Sequence, residues 1–478
     1  MLKEKKQQTV VVWSVYAECL TEKMISALKH GNARAIRLVV LSGQEKLLAN
    51  SLNLLKDAFQ GHQISVPILV DVNQPARGVI RGFLGPKKIE FGDVLTFSRS
   101  QDKKDGFFHV ESKEWESFFR QNELVYLGTG AVVLRTKEVS RELAYFEAIQ
   151  GGTIFPEMEV HVPSTRPSPK DEDLCGLFKI LIDSDYVDFI VIPGFDEPSE
   201  LKKVVRLVEG KGNKAPWLIL KITSRKVYED LDSLLPLVKG VLIPRVELGL
   251  AVDPVRVPMI TKDVIQVCQA NSKIALVASE ILASMRHNAT PTRAEVSDIA
   301  NAVLDGADGV VISEELPYGD HGFRGLELAG KTVQDVETGM RKGFHYNWTK
   351  RDPIVSDELR AVTFAAYRTA KRTRAKAIVC ISEHGNTVLH LASYRTGIPI
   401  IAVTRSESVL RRLALVRGVY GFQLEDYPDI DHVLPQVNDL LLREASWLKE
   451  GDKFVFVSVT ISSIGKAESN LFTVQALV

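Results

Sequence analysis

The sequence predicts an α/β protein: a closed, eight-stranded parallel barrel interrupted by a small inserted β domain and followed by a separate three-layer α/β domain. Three observations support this. Eight short β-branched runs each lead into an amphipathic helical pattern, and a long interval after the third run alternates apolar and polar residues. A fresh α/β series then begins near Ser356.

The eight runs are TVVVWSV from Thr9, AIRLVVL from Ala35, PILVDV from Pro67, DFIVIPG from Asp188, WLILKIT from Trp217, GVLIPRVE from Gly240, IALVAS from Ile274 and GVVISEE from Gly309. Strands apolar on both faces and separated by helices belong to a parallel sheet covered by helices, and eight is the number that closes a TIM barrel. The intervening LTEKMISALKHG, SELKKVVRLVEGKG and EDLDSLLPLVKG end at Gly, the usual helix stop. In PTRAEVSDIANAVLDGADGVVIS, Thr292 and Glu295 have the spacing of a capping box, and Val296, Ile299, Ala300, Val303 and Ala307 share one helical face.

Between the third and fourth runs, IEFGDVLTFSRSQDKKDGFFHV and NELVYLGTGAVVLRTKE read as antiparallel strands joined by turns. STRPSPKDED from Ser164 is a polar hinge back to the barrel. The expected domains are therefore a barrel of residues 1–84 and 160–345, an insert of 85–159 and a C-terminal domain of 346–478.

Composition narrows the function classes. The 478 residues carry 60 Lys+Arg and 60 Asp+Glu, so no global field favours nucleic acid or an anionic membrane surface. Cys19, Cys175, Cys268 and Cys380 are widely spaced in apolar patterns, which implies buried reduced thiols rather than a zinc site or a disulfide framework. The N-terminal apolar run is too short for a signal core or a membrane span, so a cytoplasmic location is expected.

Functional side chains of such a barrel sit at the C-terminal ends of its strands. Reading those ends gives Arg37, Asp71, Lys221, Arg245, Glu247, Ser279, Ser313, Glu314 and Glu315. Cations and carboxylates converging on one mouth suit a phosphorylated or carboxylated substrate with a divalent ion. An ammonium within LILKIT requires an anionic partner, and an internal pair with Glu247 is the plain structural alternative to a catalytic Lys221.

PTRAEVSDIANAVLDGADGVVIS resembles the signature of the pyruvate kinase family, and the preceding VASEILASM resembles that family's ATQMLESM. The domain order is also the family's. The resemblance is strong from about Ile274 to Asp320, moderate through the C-terminal domain and weak over the first 160 residues. It implies phosphoryl transfer from phosphoenolpyruvate to ADP, giving pyruvate and ATP in glycolysis. Magnesium, potassium and cationic side chains absorb the moving charge in that reaction.

By this resemblance Lys221 matches the Lys that contacts the transferring group, and Arg37 matches a phosphate-binding Arg. Ser279 keeps a hydroxyl where the family has Thr, and these three are the implied catalytic residues. In RVELG, against the family's RGDLG, Glu247 retains a weak magnesium ligand, while Val246 crowds the loop that receives the substrate carboxylate. The family's second metal-binding carboxylate, in KIEN, is replaced by Thr223 in KITS. Val39 and Leu41 in RLVVLSG stand where Asn and Ser ligate potassium. Asp71 keeps one potassium ligand, but Val72 replaces Thr. The hinge PEME puts Glu157 and Met158 where the family's SKKG has lysines facing the phosphates.

The expectation is a pyruvate kinase homologue with activity strongly reduced or lost, weak magnesium binding and no potassium binding. The alternative is a noncatalytic paralogue serving as a scaffold or structural subunit. The resemblance also implies a homotetramer, or a hetero-oligomer with a related pyruvate kinase. In SEHGNTV, against the family's effector loop TKSGRSA, Ser382, Gly385 and Thr387 fit, but Glu383 and Asn386 replace Lys and Arg. No control by fructose bisphosphate is expected.

Overall fold

A computed structural model of the chain describes residues 8–477 except 18–19, 30–32, 42–43, 63–65, 74–77, 82–84, 101–106, 112–114, 129, 156–157, 163–171, 196, 279, 314–315, 342–356, 425–429 and 462–466. Eight parallel strands close a barrel: β1 (Val10–Tyr16), β2 (Ala35–Leu41), β3 (Ile68–Asn73), β4 (Phe189–Ile192), β5 (Trp217–Lys221), β6 (Gly240–Pro244), β7 (Ile274–Ala278) and β8 (Gly309–Val311). β1 joins β8 through Val10 opposite Gly309 and joins β2 through Ser14 opposite Arg37. All eight expected runs are strands of this one barrel.

Side chains alternate between the two sides of each strand. Val11, Trp13 and Val15 pack outward against the helices, whereas Val10 and Val12 pack inward. The inward set fills the lower layers with Val10, Val12, Ala35, Leu69, Phe189, Val191, Trp217, Ile219, Leu242 and Leu276. Continuing the alternation upward puts Ser14, Arg37, Asp71 and Lys221 into the lumen near the C-terminal ends of β1, β2, β3 and β5. The capping box forms as expected, with Thr292 Oγ1 accepting from Glu295 N (3.2 Å) and Glu295 Oε2 accepting from Thr292 N (2.8 Å).

Strands from Gly78–Arg81 to Glu159–His161 make a second, seven-stranded closed barrel, with an aromatic core including Phe97, Trp115, Phe118, Phe119 and Phe146. The C-terminal domain is a five-stranded sheet of Ala377–Ile381, Ile400–Thr404, Val419–Gln423, Lys453–Ile461 and Ala467–Ala476, the last two antiparallel. Val388, Leu391, Leu413 and Val416 cover one face of that sheet, and Val433, Val437 and Leu441 cover the other, completing three layers. The covering on the first face is continuous with the lower layers of the main barrel, so the C-terminal domain plugs the barrel floor. Cys268 and Cys380 are free and buried thiols, and burial raises both above the ordinary thiol range. Among the described residues no helix is long and apolar enough to cross a membrane.

Asp308 ties the seam between barrel and C-terminal domain. Its Oδ2 accepts from Ala275 N (3.0 Å) and Arg395 Nη2 (2.7 Å), and its Oδ1 accepts from Arg417 N (3.0 Å). A carboxylate 1% exposed with three donors resists neutral replacement. Asp308→Asn is expected to cost about 3–5 kcal/mol, because the Arg395 guanidinium then loses its anion and the buried backbone N–H groups of Ala275 and Arg417 lose a charged acceptor. Urea unfolding measures it; a loss under about 1 kcal/mol contradicts the assignment.

Candidate active site

Five polar side chains in the lumen form one cluster. Arg37 donates from Nε (2.9 Å) and Nη2 (2.5 Å) to Asp71 Oδ2, and from Nη1 to Ser14 Oγ (2.9 Å). Lys221 Nζ reaches past β4 to lie 3.0 Å from Asp71 Oδ1 and donates to Asn73 Oδ1. Arg37, Lys221 and Asp71 are all buried, with Asp71 0% exposed. Burial pushes the Asp71 carboxyl up, but Lys221 and Arg37 more than offset this and hold it below the ordinary carboxylate range.

Strand register explains who meets whom. Ser14 lies opposite Arg37, Val39 opposite Asp71, and Leu41 opposite Asn73. In parallel strands such neighbours share a face, so Val39 presents methyl groups beside the carboxylate. Val72 points the other way, into the core between barrel and helices. The partner of Lys221 differs from the alternative drawn from sequence: it is Asp71, while Glu247 lies exposed on the short helix Arg245–Ala251. The reason is direction, since Lys221 points into the lumen whereas Glu247 has already left β6.

The remaining expected residues are dispersed. Thr223 follows β5, half-buried, and its Oγ1 sits where a Cβ on Gly194 would come within 2.7 Å, so the loop after β4 closes directly over it. Val246 is half-buried in the first turn of the helix that carries Glu247. Arg245 turns toward the helix Arg293–Asp305, pairing with Asp298 at 2.9 Å and donating to Ala278 O at 3.3 Å. Met158 packs on the core of the second barrel. Ser279, Glu157, Glu314 and Glu315 lie outside the described residues.

A hard divalent ion needs oxygen ligands, commonly one or two carboxylates besides substrate and water. Here the two relevant positions offer a neutral hydroxyl at Thr223 and an exposed carboxylate at Glu247. Among the described residues no group of three or more His, Cys, Asp or Glu is arranged to hold a metal. In the C-terminal loop, Ser382 Oγ accepts from Gly385 N (3.0 Å), Gly385 adopts a left-handed φ of 83°, and Ser382 and Thr387 are buried.

Residues 6–325 match the family profile described as pyruvate kinase, barrel domain, and residues 360–474 match that described as pyruvate kinase, alpha/beta domain. The chain belongs to the pyruvate kinase family. A pyruvate kinase of Clostridium perfringens is 25% identical over 468 residues, covering 96% of this chain and 97% of its own. Another, from Corynebacterium glutamicum, is 30% identical over 407 residues, 82% of each chain. The structure of Cryptosporidium parvum pyruvate kinase in complex with ADP aligns at TM-score 0.81 over 100% of this chain and 97% of its own. Its 20% identity makes this a likeness of fold.

Ser14 and Asn73 are the cluster members that the strand-end survey passed over. A polar residue at an inward position of an apolar barrel strand is the signal that finds Ser14. Asn73 carries the same signal one step above Asp71.

Asp71→Asn is expected to cost about 3–5 kcal/mol at neutral pH, since two buried cations lose their only charged partner in the cluster. With the folded carboxyl held low, its contribution is present above the ordinary value of 3.8 and lost as pH falls through the folded value. The gap between wild type and variant, followed by urea unfolding, therefore closes toward strong acid; a gap that widens there contradicts the pairing.

Proposed function

We propose that this chain is a pyruvate kinase homologue in which phosphoryl transfer between phosphoenolpyruvate and ADP is strongly reduced or lost. The observation that carries this reading is the closed Arg37–Asp71–Lys221 cluster beside a metal position reduced to Thr223. Two cations against one carboxylate leave an excess of one positive charge at the mouth, so an incoming phosphate or carboxylate is attracted there. To reach Lys221 it competes with Asp71 and Asn73, both of which already hold the ammonium.

The residues present do not fit the family's metals. Potassium needs several oxygen ligands, and the matching positions supply Val39 and Leu41 on the lumen face and Val72 turned away into the outer core, beside a carboxylate already paired with two cations. Magnesium is left with Glu247 alone among the charged protein ligands, on an exposed turn. What the chain retains is anion attraction at Arg37 and Lys221, with Ser14 fixing the guanidinium plane through its hydroxyl. Each lost electrostatic contact of this kind costs about 10² to 10³ in rate.

The closed barrel and plugged floor beside an altered mouth favour a second reading, a noncatalytic scaffold or structural subunit. That subunit assembles as a homotetramer or with a related, active pyruvate kinase. Native mass spectrometry of the chain alone and mixed with such a relative distinguishes the two assemblies.

A coupled assay with phosphoenolpyruvate, ADP, magnesium and potassium is expected to give turnover at least about 10²-fold below the enzyme median of roughly 10 s⁻¹. Turnover near that median, abolished by Lys221→Ala, defeats both readings. Thr223→Glu is expected to strengthen magnesium binding at least about tenfold by calorimetry. No gain would mean that the missing carboxylate is not what weakens the site.

A further inference from the structure

A second gathering of cations lies at the opposite end of the barrel. Trp217, the first residue of β5, and Lys239, just before β6, face His384 and Asn386 of the C-terminal domain and Arg412 from the helix Glu407–Leu413. Together they line a cavity of about 350 Å³ between the domains. Lys239 Nζ lies 5.6 Å and Arg412 Cζ 5.8 Å from the centre of the Trp217 ring, so both cations sit over the indole. Lys239 donates to Asn386 Oδ1 (3.0 Å), and Arg412 donates from Nη2 to Lys214 O (3.1 Å).

Negative charge is scarce here. The one carboxylate among the described lining residues is Glu209, which is exposed at the rim. Asp188, the nearby buried acid, accepts from Arg411 Nε at Oδ1 (3.0 Å) and from Ile68 N at Oδ2 (3.0 Å), and its charge offsets only part of the burial cost of Arg412, which stays below the ordinary arginine range. Lys273 adds a further cation, donating to Val238 O (2.6 Å). Burial and the charge of Arg412 lower Lys239 below the ordinary lysine range, and burial lowers Lys273 to about 8, with Lys239 adding to the shift. Like charges are thus crowded into a partly buried space, and an anion relieves that cost.

We propose that this interdomain cavity binds a small phosphate monoester between Lys239 and Arg412, with Asn386 and His384 supplying the remaining polar contacts. The choice of phosphate follows from charge and shape. Two cations match a group carrying about −1.5 to −2 charge and three acceptor oxygens. With Asn386 Oδ1 turned to Lys239, its amide N–H groups are the donors left for a ligand. The volume exceeds that of a bare phosphate and admits a short organic chain. The cavity is also separate from the loop hydroxyls: Ser382 caps Gly385 N, and neither Ser382 nor Thr387 lines the cavity. A ligand here touches the barrel floor and the C-terminal domain at once and clamps one to the other.

The test uses the full chain with inorganic phosphate and glycerol 3-phosphate as probes, at ionic strength matched with chloride, in calorimetry and thermal unfolding. Wild type is expected to bind saturably and to unfold at a higher temperature when bound. Lys239→Met is expected to weaken binding at least about tenfold. It is also expected to leave the ligand-free midpoint equal or higher, because it removes a crowded charge. Lys239→Arg, which keeps the charge, is expected to retain binding within about threefold. Lys221→Met reports on the barrel mouth and is expected to leave these affinities unchanged. The proposal is overturned if wild type shows no saturable binding, if Lys239→Met binds like wild type, if both Lys239 variants lose binding alike, or if Lys221→Met alone abolishes it.

Discussion

The carboxylate of Asp71 sits with no solvent exposure between Arg37 and Lys221, and the upper lumen of the barrel depends on it. Two buried cations repel one another and forfeit hydration, and in this cluster one anion must answer both. This requirement fixes the direction of Arg37, whose Nη1 donates to Ser14, and it draws Lys221 across the lumen toward Asn73. The geometry thereby links folding to the proposed function: the interaction that satisfies the buried charges engages the same groups that the family resemblance assigns to phosphoryl transfer.

At the other end of the barrel the problem is inverted. The floor is sealed by apolar packing that runs without a break into the C-terminal domain, and its ionic groups sit at the edges of that seal. Asp308 brings three donors from both domains to one carboxylate, so that part of the seam is electrostatically complete. Around Trp217 the balance is only partial, with Lys239 and Arg412 sharing one indole and the nearby Asp188 divided between Arg411, a backbone amide and Arg412. A domain interface that is neutral at one point and cationic at another has the character of a ligand-responsive joint.

Much of the architecture was legible because its signals are local. Eight apolar runs separated by helical patterns give the barrel, and Thr292 with Glu295 gives a helix start that forms as read. The antiparallel reading of the insert holds for Leu124–Leu127 with Val132–Val139, whereas Val94–Ser98 and Phe108–Glu111, also expected to be antiparallel, pair in parallel within the closed second barrel. The candidate site was only partly legible. Arg37, Asp71 and Lys221 stood out as charges in apolar strands, while Ser14 and Asn73 passed as ordinary polar residues. Glu247 seemed a natural companion for Lys221 because both close neighbouring strands, yet the chain turns into a helix at Arg245 and carries the carboxylate outward.

By itself the sequence determined the fold class, the family and the chemical character of each position: a hydroxyl at Thr223 and methyl groups at Val39 carry no charge in any conformation. Only the tertiary structure decided which charges meet. Lys221 and Asn73 stand 148 positions apart, and their contact follows from barrel closure, which one-dimensional spacing does not encode. The cationic cavity beneath the barrel likewise exists only because the barrel floor and the C-terminal domain pack together and bring Lys239, Trp217 and Arg412 to one place. Residue type sets what a group can do, and packing sets which neighbour it must do it with.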